Sequence, residues 1–182
     1  MRDRNIQSLV LVGLMTCLVT VSTMFIKIPI PMTQGYVHLG DSMIFLSVLI
    51  TGKKGGTAAA GIGSALGDLL GGYPHWILPT LIIKSLMGFC MGLFLERGQQ
   101  KDPDCSGLRA KVLEGTGMVL GGAIMVAGYY IASSLMYGSW IVPLASIPWN
   151  IGQFAVGMVI ALLLSSALQQ TPAKKYFVGH SK

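Results

Sequence analysis

The sequence predicts an all-α integral membrane protein: six transmembrane helices, with both the N- and C-termini in the cytoplasm. Three observations predict it. Of the 182 residues, 52% are apolar and only 11% are charged, against about 25% charged in a soluble domain. Apolar runs recur along the whole chain, divided by short segments rich in Gly, Pro or Lys. The basic residues fall between those runs with a one-sided bias. A mean hydropathy of +0.64 agrees. This composition excludes an ordinary soluble enzyme, a disordered tail and a disulfide scaffold. The net charge of +6 forms no continuous stripe and does not indicate nucleic acid as a partner.

Each element follows in order. Residues 6–26 form the first apolar run, which at about 1.5 Å per residue spans a hydrocarbon core of about 30 Å. Arg2 and Arg4 precede it. No small-residue cleavage pattern follows, so it is retained as helix 1 and not read as a signal peptide. Residues 27–38 contain Pro29, Pro31 and Gly35 and read as a loop. Helix 2 is expected over 38–51 and helix 3 over 57–72, both short for a span. Between them Gly52, Lys53, Lys54, Gly55 and Gly56 read as a tight basic turn. A re-entrant hairpin is the competing reading of this pair. Helix 4 is expected over 76–96, helix 5 over 112–136 and helix 6 over 149–168. The polar stretch 97–111 reads as a cytoplasmic loop, 137–148 as an uncharged loop, and 169–182 as a basic cytoplasmic tail.

With the N-terminus inside, 11 of the 13 Lys and Arg residues fall in cytoplasmic segments. Lys27 is left in an outer loop and Lys84 inside helix 4. Cys17, Cys90 and Cys105 form no CxxC and read as free thiols. Gly63, Gly67 and Gly71, then Gly88 and Gly92, then Gly117 and Gly121, are spaced for close helix packing. Gly13 and Cys17 make a similar small notch on helix 1, suited to packing or to a docking seam for another membrane protein.

Ionisable groups inside a bilayer are costly and mark candidate sites. On this topology Asp41, Asp68 and Lys84 all fall in the outer half. Lys84 can pair with one carboxylate, which leaves the other needing a partner, a proton or a ligand. Tyr36, His38, Tyr73, His75 and Trp76 lie at the same end, as do Trp140, Trp149, Asn150 and Gln153. Together they suggest an outward-facing pocket that stacks a flat ring on Trp76, Trp149, Tyr36 or Tyr73. Asn150 and Gln153 would read its polar edges. The alternative is an interfacial aromatic belt with a structural ion pair. No P-loop, HExxH or GxSxG is present. His38, Asp41, Asp68 and His75 are the residues a metal site would need, but both histidines lie in or beside loops, so no metal is expected.

Three stretches carry a resemblance: Gly35-Tyr36-Val37-His38-Leu39-Gly40-Asp41; Gly61-Ile62-Gly63-Ser64-Ala65-Leu66-Gly67-Asp68-Leu69-Leu70-Gly71-Gly72-Tyr73; and Leu81-Ile82-Ile83-Lys84. They resemble the substrate-binding S components of energy-coupling factor (ECF) vitamin transporters, and most of all the hydroxymethylpyrimidine or pyridoxine type. The resemblance implies a vitamin site near the outer face, under the loop between helices 1 and 2. It implies a bacterial plasma-membrane location and no resident cofactor. It also implies association with a transmembrane coupling subunit and two ABC-type ATPases, with toppling in the membrane. Helix 1 of the family docks through two small residues four apart, here Gly13 and Cys17. The expected function is therefore binding and uptake of a small water-soluble vitamin or precursor. Pantothenate or riboflavin is the alternative ligand. A stand-alone carrier would need polar groups through both halves of the bundle. A membrane enzyme would use the His and Asp groups.

Overall fold

Long apolar stretches build five helices in the computed structural model, which describes residues 2–25, 27–30, 36–101 and 107–177. They are α1 (Arg2–Phe25), α2 (Gly40–Leu70), α3 (Ile77–Lys101), α4 (Leu108–Tyr137) and α5 (Ile147–Gln169). Among the described residues, four helical stretches are long and apolar enough to cross a membrane: Asn5–Phe25, Pro74–Gln100, Leu108–Tyr137 and Val142–Gln169. The segment expected as a plain loop at 27–38 contains strands β1 (Lys27–Pro29) and β2 (Tyr36–His38). They pair antiparallel with Ile28 opposite Val37. The β-branched pair suits a strand, and Val37 is buried beneath it.

The two helices expected over 38–51 and 57–72 are one element, α2, interrupted at Gly52 alone. Gly52 has φ 72° and ψ −171°, a region essentially closed to residues with a Cβ. Lys53 to Gly56, expected in the turn, are helical. The chain reverses at this residue. A Cβ on Gly56 would lie 2.6 Å from Val48 Cα, and Cβ atoms on Gly40 and Gly67, at opposite ends of α2, would both meet Thr23 of α1. The two arms of α2 therefore close like a hairpin and bring Asp41 and Asp68 to the same end of the bundle.

α2 lies at the centre, packed on α1, α3 and α5, while α4 packs on α3. The core joins Ile44, Phe45 and Val48 of α2 to Met87 and Met91 of α3 and Met118 and Met125 of α4. Small residues set these approaches: Gly63 and Gly67 face α1, Gly88 and Gly92 face α2, and Gly117 and Gly121 face α3. Outside, Ile151, Val156, Val159 and Leu163 of α5 are exposed, an apolar surface suited to lipid.

The expected 97–111 loop is also shorter. α3 continues to Lys101 and α4 begins at Leu108, because Glu96, Arg97, Gln99 and Gln100 are good helix formers that extend the helix into water. Ile26, Pro31, Gly35, Cys105 and Lys182 lie outside the described residues. Within 137–148 the chain turns at Gly138 (φ 63°) and forms a short 3-10 turn at Val142–Ser146. Another 3-10 turn, Pro74–Trp76, leads into α3.

Candidate binding site

One end of the bundle holds a narrow cleft of about 40 Å³. The hairpin contributes Ile30, Tyr36 and His38 to its wall, the far end of α2 contributes Asp68, and the turn before α3 contributes Trp76. Thr80 of α3 and Tyr129 of α4 face each other there, with the Tyr129 hydroxyl donating to Thr80 Oγ1 at 3.1 Å. Ser133, Ser146, Asn150 and Gln153 complete the lining. The Trp76 ring meets Tyr129 edge-on, with centroids 5.6 Å apart.

Two buried polar atoms on this wall lack a hydrogen bond of good geometry: Asp68 Oδ2, whose carboxylate has the Thr80 hydroxyl nearby, and Trp76 Nε1. The other Asp68 oxygen accepts from the Tyr36 hydroxyl at 2.6 Å. Burial, then that hydrogen bond and the carboxylate charge, hold the Tyr36 phenol well above its ordinary range, so it stays a donor. An acceptor and a donor left without a good bond in a buried cleft are expensive unless something else pairs with them.

Behind the wall runs a second network. Lys84 Nζ donates to Asp41 Oδ1, and both side chains are fully buried. Gln153 Nε2 donates to Asp41 Oδ2 at 2.8 Å, and Gln153 Oε1 accepts the His38 backbone N–H at 2.9 Å. His38 Nδ1 accepts the Gly40 N–H at 2.9 Å, which makes Nε2 the protonated ring nitrogen. Burial, reinforced by the Lys84 charge, lowers the His38 pKa to about 3, so the ring is neutral. α5 comes this close because of Gly157, where a Cβ would lie 2.9 Å from Asp41 Cβ.

Of the residues singled out in the sequence, Tyr36, His38, Asp68, Trp76, Asn150 and Gln153 share the cleft wall. Asp41 and Lys84 are not part of it. Tyr73 stacks on Tyr36 with centroids 4.6 Å apart, and Lys27 Nζ sits over both rings. His75 is exposed. Trp149 borders a separate apolar groove with Ile28, Val37 and Val156. Gly13 and Cys17 are exposed on α1. Among the described residues no three His, Cys, Asp or Glu side chains gather as a metal site. Thr80, Tyr129, Ser133 and Ser146 were missed. The available signal was polar spacing of four: Thr80 lies one turn before Lys84, and Tyr129 and Ser133 share a face of α4.

The sequence matches the family described as "ECF-type riboflavin transporter, S component" over residues 3–170. The chain belongs to this family of ECF transporter S components. The family is one of membrane transport components and not of enzymes. The chain is 31% identical over 172 residues to the "Thiamine precursor transporter HmpT" of Lactococcus lactis subsp. cremoris (strain MG1363), covering 94% of this S component and 93% of the relative. It is 43% identical over 120 residues to an uncharacterised protein of Pyrococcus woesei, covering 66% of this chain and 74% of that one. Its fold is similar to that in a solved structure titled "Structure and mechanism of the S component of a bacterial ECF transporter", with a TM-score of 0.67 at 20% identity. That likeness covers 91% of this S component and 97% of the other chain.

Proposed function

We infer that this S component binds a small water-soluble vitamin or precursor with high affinity in the cleft and delivers it as the specificity subunit of an ATP-driven ECF transporter. The observation that carries this reading is the pair of groups without a good hydrogen bond, Asp68 Oδ2 and Trp76 Nε1, in one cleft. They call for a ligand with a donor and an acceptor on one flat ring, and Trp76 and Tyr129 supply aromatic surface beside it. Hydroxymethylpyrimidine and pyridoxine have that form, and the relative named a thiamine precursor transporter supports the former. In this reading both arms of α2 cross with the other four helices. That makes six crossings of the bacterial plasma membrane, with both termini cytoplasmic and the cleft facing out. The distribution of basic residues supports that orientation. A transmembrane coupling subunit and two ABC-type ATPases supply the energy, and the outer face of α1 at Gly13 and Cys17 meets the coupling subunit.

The test is intrinsic Trp fluorescence of the purified chain, titrated with hydroxymethylpyrimidine, pyridoxine, pantothenate and riboflavin. A saturable change with one compound, moved to about 10–100-fold higher concentration by Asp68→Asn, is expected. No response to any of the four, with the chain folded, would overturn the vitamin assignment. A signal from pantothenate or riboflavin alone would overturn the choice of ring.

A further inference from the structure

The hairpin that walls the cleft is fixed at its last residue, His38, from two directions. α2 holds the ring through Gly40 N–H, and α5 holds the backbone N–H through Gln153. The second hold depends on which way the Gln153 amide points, and that is decided one residue further back. Asp41 Oδ1 is taken by Lys84, and Oδ2, an acceptor with no hydrogen, faces Gln153. Only the NH2 end of the amide satisfies a carboxylate. The carbonyl end is therefore left toward the hairpin, where it accepts the His38 N–H.

We propose that Asp41 and Lys84 are positioning residues: through the Gln153 amide they fix His38, and with it strand β2, in the cleft wall. Their buried charges act on the cleft wall without forming part of it. The chemistry makes a polarity prediction. In Asp41→Asn, Lys84 retains the carbonyl oxygen and the new NH2 faces the NH2 of Gln153. The Gln153 amide must turn, and its NH2 then opposes the His38 N–H, donor against donor. In the double variant Asp41→Asn/Gln153→Glu the pattern is reversed and whole again. The amide introduced on α2 donates to one oxygen of the carboxylate introduced on α5, the other oxygen accepts the His38 N–H, and the total charge is unchanged.

The experiment is amide hydrogen exchange by mass spectrometry on the ligand-free full chain in nanodiscs, following a peptide that covers residues 27–39. Because no ligand is added, this result stands apart from the vitamin titration, and failure of either is recognisable by itself. Asp41→Asn should speed exchange of that peptide about tenfold while peptides from α3 and α4 stay protected. The double variant should return it close to the wild-type rate. Gln153→Met, which cuts the link but keeps the Lys84–Asp41 pair, should loosen the hairpin as the single variant does, and it guards against Asp41→Asn failing to fold. An unchanged hairpin in Gln153→Met, or a double variant as fast as Asp41→Asn in a folded chain, would overturn the proposal.

Discussion

The Tyr36 hydroxyl and Asp68 meet at 2.6 Å, although one belongs to the hairpin and the other to the far arm of α2. A phenol donating to a carboxylate is a strong, charge-assisted bond. It closes the cleft from both sides and leaves one carboxylate oxygen without a good bond. Asp68→Asn keeps the shape but replaces an acceptor by a donor or an uncharged oxygen. Affinity for the ligand found in the vitamin titration should fall about 10–100-fold, the scale of one hydrogen bond to a charged group. Tyr36→Phe should cost less, and the two losses should not add, because one variant weakens and the other removes the same bond. Isothermal titration of the two single variants and the double variant checks this.

His38 gives a pH dependence whose sign is fixed. Its folded pKa, about 3, lies below the unfolded value of about 6.5. Between these values the unfolded chain takes up a proton that the folded chain refuses. Stability is therefore undiminished above about pH 6.5 and falls as the pH drops below it, by up to about 1.4 kcal/mol per unit. Thermal unfolding at pH 7.5 and pH 5 should show the loss, and His38→Asn should flatten that part of the profile.

Gly52→Ala should destabilise the bundle by about 1–3 kcal/mol, because alanine is strained at φ 72°, ψ −171°. Gly55→Ala is a useful contrast. That residue is helical, and an added methyl there meets the side chains of Thr51 and Val12 and not an unfavourable backbone angle. Thermal unfolding in detergent reads both, and an unaffected Gly52→Ala would contradict the hinge.

Lys84→Met should cost about 3–5 kcal/mol, because it strands the Asp41 carboxylate in a site with no water access. Lys84→Met/Asp41→Leu should recover much of that stability, since an apolar pair of similar size carries no desolvation penalty. The measurement is the same unfolding assay. Equal losses in the single and double variants would mean that the pair contributes by its shape alone.

Gly13→Leu projects into open space, with nothing within 4 Å of the added Cβ. Ligand affinity and unfolding temperature should remain at wild-type values. In cells that also carry the coupling subunit and ATPases, uptake should fall at least tenfold. Normal uptake would remove Gly13 from the docking surface.

Much of the architecture could be read from chain chemistry because apolar length and glycine spacing are local signals. The runs around α1, α3, α4 and α5 announced themselves, and the spacing of Gly63 and Gly67 signalled close packing without naming α1 as the partner. The Gly52 reversal was blurred by its neighbours. Five residues from Gly52 to Gly56 have turn or basic character, and one positive φ does all the bending. Within the cleft, charge was readable and its depth was not. Asp41, Asp68 and Lys84 look alike in a sequence, but only the fold puts Asp68 on the wall and the other two behind it. Tyr129 and Ser133 went unnoticed because a Tyr or Ser in an apolar helix is ordinary until something faces it. Trp149 looked equivalent to Trp76, but Trp76 ends the turn before α3 at the cleft and Trp149 lies on α5 beside another groove.

The cleft takes residues from the hairpin and from every helix except α1. α1 in turn rests chiefly on α2 and leaves Leu9, Val10, Leu14 and Val21 uncovered. Substitutions that reshape the outer surface of this first helix are thereby insulated from the cleft wall. The two surfaces can change independently in one short chain.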